Sequence, residues 1–390
     1  MPASQDVLVV GGGVIGCAIG WRLAQAGLGV TLLERGQCGR ECSWAGAGIL
    51  DAGSFARSDP LAGLRRLSVA RWPRFVDELR ERSGIDPQFL RCGGLDLITD
   101  DNQDAAADRE VAAAAGLTTP AGEPLVERLT VEQTLEREPQ LRAEIRGALL
   151  VRDVSQVRNP RLLEALRVAC AHAGVRILEH TPAIELVVED ARVVGVRTPG
   201  GRLSGDRIVL AAGSWSSQLS PRLAGLVEVH PVRGQIVLLE RLPPLLNQVI
   251  LCGRRYLVCR ADGKVLVGTT DEPDAGFDQR NTLAAVRKLT QFAERCAPML
   301  KDATLVRTWA GLRPGTPDGK PYLGPVPGLD GLIAATGHFR SGLTLTPITA
   351  DLMVELIARG QTEIDLTPFL PGRPPRADCS QSDRLNRLLD

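Results

Sequence analysis

An unbroken apolar run, Val7–Val10, meets the glycines Gly11–Gly13 and gives way to helical spacing from about Val14 to Ala26. Successive apolar residues ending at a turn signal predict a strand covered on both faces. A second such strand spans Gly29–Glu34. Leu61, Leu64, Leu67, Val69, Trp72, Phe75 and Leu79 recur at helical spacing and predict one or two helices over Asp59–Gly84. Gly93–Thr99 alternates and predicts a strand, whereas 101–148, rich in Ala, Glu and Arg, predicts helix broken at Pro120, Pro124 and Pro139. A helix over Asn159–Ala173 starts with Pro160, whose fixed φ suits a first turn. Strands follow at Arg176–Glu179, Ala183–Glu189 and Arg192–Thr198, then a turn at Pro199–Gly201 and a strand at Asp206–Gly213.

From Val227 to Gly268 the pattern turns β-rich, with strands at Val232–Leu239, Arg255–Arg260 and Lys264–Thr269 and a hairpin turn at Ala261–Gly263. A helix at Thr282–Ala297, a strand at Leu332–Thr336 and an amphipathic helix at Thr346–Arg359 complete the pattern. The last 20 residues, with Pro371, Pro374 and Pro375, are expected to form a mobile tail. A nucleotide-binding pattern at both ends around a β-rich middle predicts an α/β fold. A discontinuous Rossmann-like cofactor domain (1–90, 150–226 and 312–390) is expected beside a β-rich α+β substrate domain (91–149 and 227–311).

The first turn carries chemistry. Gly11, Gly13 and Gly16 form Gly-x-Gly-x-x-Gly between strand and helix. The first glycine permits the tight turn, the second lets a pyrophosphate approach the backbone, and the third lets helix pack on strand. The N–H groups of Val14, Ile15 and their neighbours, with the helix dipole, favour phosphate. Glu34 ends the second strand 18 residues after Gly16. A carboxylate there accepts from a ribose 2′-hydroxyl and repels a 2′-phosphate, so FAD or NAD is expected rather than NADP.

The 46 basic and 46 acidic residues cancel, so there is no electrostatic case for nucleic acid or an anionic membrane. Nine cysteines without a C-x-x-C pair read as reduced thiols in a cytoplasmic protein, and four histidines argue against a His-rich metal site. The apolar N-terminus lacks a basic lead and carries Asp6, which argues against a signal peptide. No apolar stretch is long enough to span a membrane. A homo-oligomer is expected.

Further segments resemble the D-amino-acid oxidase superfamily of flavoproteins, and within it the glycine oxidases of thiazole (thiamine) biosynthesis. They are Glu34–Arg35 followed by the small-residue run Cys42–Leu50, the turn Ala211–Trp215, the stretch Trp309–Gly324 and the turn Gly337–Thr346. The resemblance runs from about Asp6 to Ala358. It implies FAD as cofactor, with Ser43, Trp44, Ala45, Gly46, Gly48 and Ile49 around the pyrophosphate and flavin. Leu186, Val187, Ala212, Gly213, Trp215 and Gly311 are implied as further contacts. Trp215 could equally be a packed core aromatic. His338, Arg340, Ser341, Gly342, Leu343 and Thr344 would face the flavin at the start of the last helix, where a helix N-terminus favours the negative charge of the reduced ring. For His338 a satisfied structural histidine is the simpler reading.

The resemblance also implies that Arg313 binds the substrate carboxylate, helped by Arg340 and by the phenol of Tyr256. A planar guanidinium grips two carboxylate oxygens at once. Departures occur at three places. Cys259 stands where the family has Pro, Arg254 where glycine oxidases often have His, and the run after Thr270, beginning Asp271, does not follow the pattern. Covalent flavin attachment in related sarcosine oxidases uses a Cys near the Arg-Pro-Gly position, where this chain has Gly311, so non-covalent FAD is expected.

The expected function is oxidative deamination of glycine or a small amino acid to the imine and 2-oxo acid, with ammonia and hydrogen peroxide, and the resemblance implies a link to thiamine thiazole synthesis. The partners are then an amino-acid substrate and oxygen. No residue is expected to act as general base, because a neutral amine lone pair can expel hydride. Open alternatives are a D-amino-acid, D-proline or sarcosine oxidase or dehydrogenase using oxygen or a quinone, a non-catalytic flavin-binding protein, and an NAD dehydrogenase.

Overall fold

The computed structural model describes residues 6–142 and 144–374. The expected tail from residue 375 onward lies outside them. Two large sheets organise the chain. The first has six strands, in the order Tyr322–Pro325, Leu332–Thr336, Arg207–Leu210, Asp6–Val10, Gly29–Leu33 and Arg176–Leu178. All its pairings are parallel except that of Tyr322–Pro325 with Leu332–Thr336.

Alternate side chains of this sheet enter different cores, as a two-residue period requires. Val7, Val9, Leu32, Val209 and Ile333 pack with the helices Val14–Gln25, Pro60–Ser83, Asn159–His172 and Thr346–Arg359. Leu8, Val10, Leu33, Ile208 and Leu332 face the other way, onto the three-stranded sheet Glu185–Glu189, Arg192–Thr198 and Gly201–Ser204. Both faces are covered, which is why these strands read as continuous apolar runs.

The region 59–84 forms one helix, Pro60–Ser83, with Pro73 inside it. Its ends are well made. Asp59 accepts from the N–H groups of Leu61 and Ala62, and Gly84 closes the helix at φ 72°.

The second sheet has eight strands, in the order Thr304–Gly315, His230–Glu240, Lys264–Gly268, Arg255–Cys259, Val249–Cys252, Gly94–Ile98, Gly147–Val151 and Val126–Leu129. It is antiparallel apart from the junction of Val249–Cys252 with Gly94–Ile98. The helix Leu283–Cys296 covers it through Leu289, Phe292, Ala293 and Cys296.

Here the chain departs from the expectation of broken helix over 101–148. Only Asp101–Ala113 and Val131–Arg137 are helical, and Val126–Leu129 and Gly147–Val151 are strands. Leu149 and Leu150 face opposite cores, so this segment belongs to a sheet despite its polar surroundings. Sheet neighbours outweigh local propensity, because strand preference is largely a preference for a packed surface. The strand Thr304–Gly315 also exceeds expectation. Its first four residues, Leu305 and Val306 among them, are exposed at the sheet edge, yet its pairing with His230–Glu240 runs nearly its full length.

Candidate active site

A cavity of about 560 Å³ runs between the two sheets, within the range of cofactor and substrate sites. One end is the first turn. Gly11 holds φ +113°, and a Cβ there would lie 2.4 Å from the Ala211 carbonyl oxygen. At Gly16 a Cβ would lie 1.9 Å from the Gly11 carbonyl oxygen, so this glycine serves helix–strand packing and does not line the cavity. The following helix has no acidic residue in its first turn, and the Val14 N–H donates to Ser43 Oγ at 3.0 Å. Glu34 is buried. Its Oε2 accepts from the Gly12 N–H at 2.8 Å and its Oε1 from the Gly36 N–H at 2.9 Å. The carboxylate therefore shapes the turn while it also lines the cavity. Beside it the Arg35 guanidinium stacks 3.5 Å over the Trp215 ring.

The small-residue run forms the middle wall. Gly48 holds φ +79°, and a Cβ there would strike the Val157 carbonyl oxygen at 2.0 Å. Asn159 Nδ2 donates to the Ser43 and Gly46 carbonyls at 2.8 and 2.9 Å, and Trp309 Nε1 donates to the Ala45 carbonyl at 2.9 Å. These bonds fix a bare backbone surface of the kind a flat ring needs. The glycine turn free of Cβ atoms, the acid at the strand end and this bare wall all fit a dinucleotide cofactor such as FAD. Cys42 lines the same wall, and burial pushes its thiol up to about 11.

The last helix contributes the far wall. Phe339 holds φ +48°, uncommon for a bulky residue and often a mark of a functional turn. The Thr344 carbonyl accepts from Ser68 Oγ at 2.6 Å and Trp72 Nε1 at 3.0 Å, which ties the turn to the long helix. His338 is buried with Nε2 3.1 Å from Thr349 Oγ1, and burial pushes its pKa down to about 3. It lines the cavity as a neutral, partnered imidazole.

Arg313, Arg340 and Tyr256 converge at the other end of the cavity. The sheet register explains how they fit. Tyr256 pairs with Gly268, and a Cβ on Gly268 would lie 2.2 Å from the Tyr256 ring. A Cβ on Gly234 would lie 2.1 Å from Arg313 Nη2. Two glycines on neighbouring strands thus leave room for both side chains to lie flat on the sheet. Burial raises the Tyr256 pKa against the opposing pull of Arg313 and Arg340, so the phenol keeps its proton and is a donor.

Arg313 Nη2 donates to Thr269 Oγ1 at 2.6 Å, and Nη1 donates to the Thr270 carbonyl at 3.2 Å and Asp271 Oδ1 at 3.1 Å. Asp271 also pairs with Arg340 and Arg254. Neither Arg254 nor Asp271 was among the expected site residues. The only signal for them was departure from the family pattern at both positions.

Of the other expected residues, Gly13, Val14, Ile15, Ser43, Ala45, Gly46, Gly48, Ile49, Ala212, Gly213, Gly311, Gly342, Leu343 and Thr344 line the cavity. Trp44 instead borders a smaller cavity beside Arg307, whose guanidinium lies 5.0 Å from the Trp44 ring. Leu186 is buried in the core beneath the three-stranded sheet, where Val187 is half-buried, and Ser341 is buried in the turn after Phe339. Thr181 and Ala183, just before Leu186, do reach the cavity. Among the described residues no group of His, Cys, Asp and Glu could hold a metal ion, and no helix is long and apolar enough to cross a membrane.

The profile of a family described as "DAO: FAD dependent oxidoreductase" matches residues 6–356. The glycine oxidase of Pseudomonas aeruginosa is 38% identical over 370 residues, covering 94% of this chain and 99% of that protein. The bifunctional protein ThiO/ThiG of Synechocystis sp. is 33% identical over 396 residues, covering 97% of this chain and 56% of that protein. The crystal structure of glycine oxidase from Geobacillus kaustophilus superposes with a TM-score of 0.88 at 35% identity, covering 95% of this chain and all of that one.

Proposed function

The chain belongs to the DAO family of FAD-dependent oxidoreductases, and on that premise we propose that it oxidises a small amino acid, glycine in the first instance, in the cavity between its two sheets. It is an FAD-dependent oxidase of the glycine oxidase group. The observation that carries the assignment of roles is the convergence of Arg313, Arg340 and Tyr256 at the end of the cavity opposite Glu34 and the glycine turn. The turn Gly11–Gly16, Glu34 and the wall Ser43–Ile49 would hold FAD, which when bound supplies the acceptor for a hydride and passes the electrons to oxygen.

The remaining work falls to this chain's own residues. Arg313 and Arg340 bind the substrate carboxylate, each charge-assisted hydrogen bond contributing roughly 1.5–3 kcal/mol. The protonated Tyr256 donates a further bond. Three directional contacts on one end of a small molecule fix where its α-carbon lies, which is the orientation part of catalysis. The reading assigns no protein base: the amine reacts in its neutral form, and His338, which also lines the cavity, is partnered by Thr349.

The substrate gives up two electrons and two protons to become the imine, and water then releases the 2-oxo acid and ammonia. Supply of that imine to thiamine thiazole synthesis belongs to the same reading, supported by the likeness to one part of the ThiO/ThiG protein. So does a reducing, cytoplasmic setting, supported by eight free thiols among the described residues. Exposed Leu305 and Val306 on the edge strand would favour self-association.

The direct test is peroxide formation by the purified yellow protein with glycine, sarcosine, D-alanine and D-proline. Absence of flavin reduction by any amino acid would end the oxidase reading. FAD should be held without a covalent bond, because the thiol of Cys42 stays protonated and is a poor nucleophile. Acid precipitation should leave the yellow colour in the supernatant, and colour in the pellet would contradict this.

A further inference from the structure

Three guanidinium groups share one carboxylate at the substrate end of the cavity. Arg313 bonds Asp271 through Oδ1, and Arg254 and Arg340 both bond it through Oδ2. The Asp271 side chain is only 9% exposed and Arg313 13%, while Arg254 and Arg340 keep 27% and 34%, so the shared carboxylate itself is held out of water, where uncompensated charge is costly. The neighbouring acid, Glu272, does not contribute. It is held on the other side by Arg233, Gln235 and Thr270. Farther along the same wall Asp51 is matched by Arg65 at 3.0 Å, and Asp96 and Arg255 add one charge of each sign.

Three guanidinium groups thus converge on the two oxygens of a single carboxylate. A substrate with a single carboxylate would engage only part of this guanidinium cluster. Burial, followed by repulsion from neighbouring guanidinium groups, pushes Arg254 and Arg340 down to about 10 each.

We propose that this pocket selects amines bearing two carboxylates, with Arg254 as the specificity-determining residue for the second one and Asp271 as the built-in counter-ion that keeps the cluster assembled between turnovers. The inference rests on the oxidase reading of the same cavity and narrows its substrate class. Arg313 and Arg340 take the carboxylate next to the reacting carbon. Arg254, two residues before Tyr256 on the turn between Val249–Cys252 and Arg255–Cys259, meets the other. Asp271 is held by its neighbours: the Thr270 hydroxyl donates to Glu272, which Arg233 grips through two nitrogens. The counter-ion is therefore placed by the fold and not by substrate.

The test compares pairs of small molecules that differ by one carboxylate. Malonate and acetate are titrated into the FAD-loaded protein and binding is read from the shift in flavin absorbance. Iminodiacetate and sarcosine are compared for flavin reduction without oxygen. Malonate is expected to bind roughly 10- to 100-fold more tightly than acetate, with a similar preference for iminodiacetate in kcat/KM. In Arg254→Gln both preferences should fall to within a few-fold of unity, chiefly through KM, and Arg254→Lys should restore part of them. Equal binding of malonate and acetate, or a preference that survives Arg254→Gln, would overturn the proposal. Oxidation of sarcosine and glycine in that case would leave the oxidase reading standing. Tight, Arg254-dependent malonate binding without reduction by any amine would support the anion site and defeat the oxidase reading instead.

Discussion

The two ends of the cavity are built on different principles. The cofactor end is a local device. Its glycine turn and its acid lie within one strand–helix–strand unit, and the backbone conformation itself makes the surface. The substrate end is assembled from a distance, with Arg254 and Tyr256, Asp271, Arg313 and Arg340 on separate elements, brought together by sheet register. Backbone geometry tolerates almost no substitution at the first end. Side-chain charge can be retuned at the second without disturbing the fold.

The sharpest way to break the comparison is at the turn. Gly11→Ala places a Cβ 2.4 Å from a carbonyl oxygen at a φ that L-residues rarely adopt. It is expected to cost about 3 kcal/mol of stability and to yield protein without flavin colour. A urea midpoint and a flavin-to-protein absorbance ratio equal to wild type would contradict the account of the turn.

Arg313→Ala should act in the opposite way. FAD stays bound, while kcat/KM for amino acids falls by roughly 100- to 1000-fold, because Asp271 and Thr269 lose a partner along with the substrate. Loss of flavin in this variant would blur the division between the two ends.

A smaller effect should follow from Gly268→Ala. The added methyl meets the Tyr256 ring at 2.2 Å and pushes the phenol aside, with an expected loss of about tenfold in kcat/KM and intact FAD binding. Unchanged kinetics would remove Tyr256 from the clamp.

A last effect is a pH dependence of stability that comes from His338. His338 has its folded pKa lowered to about 3 from the ordinary 6.5, so the unfolded chain binds the proton more readily. Its contribution to stability is fully present above about pH 6.5 and is lost as pH falls toward 3. Wild type should lose about 2 kcal/mol between neutral pH and pH 5 relative to His338→Gln, as read from urea midpoints. Parallel pH profiles for the two proteins would show that His338 is not held neutral.

Much of the fold was legible because its elements carry strong local signals. Val7–Val10, Gly29–Leu33 and Leu332–Thr336 are apolar along their length, since both faces of their sheet are buried. The helices Asn159–His172 and Leu283–Cys296 were found to within a residue or two. Val126–Leu129 and Gly147–Val151 were missed because a polar sheet margin next to helix-forming residues has no clean two-residue alternation. At the site, Arg313, Arg340 and Tyr256 were readable from their motifs. Gly234 and Gly268 were not, because their purpose is clearance for a side chain on another strand.

By itself the sequence determined the glycine turn, the acid that closes it and the alternation of apolar strands and helices around them, because steric limits on φ and the two periods of regular structure act between near neighbours. Only the tertiary structure decided that Asp271 would stand among Arg254, Arg313 and Arg340. Charge pairs of this kind depend on strand register and on burial, and neither is set until sheets have packed and water has been excluded.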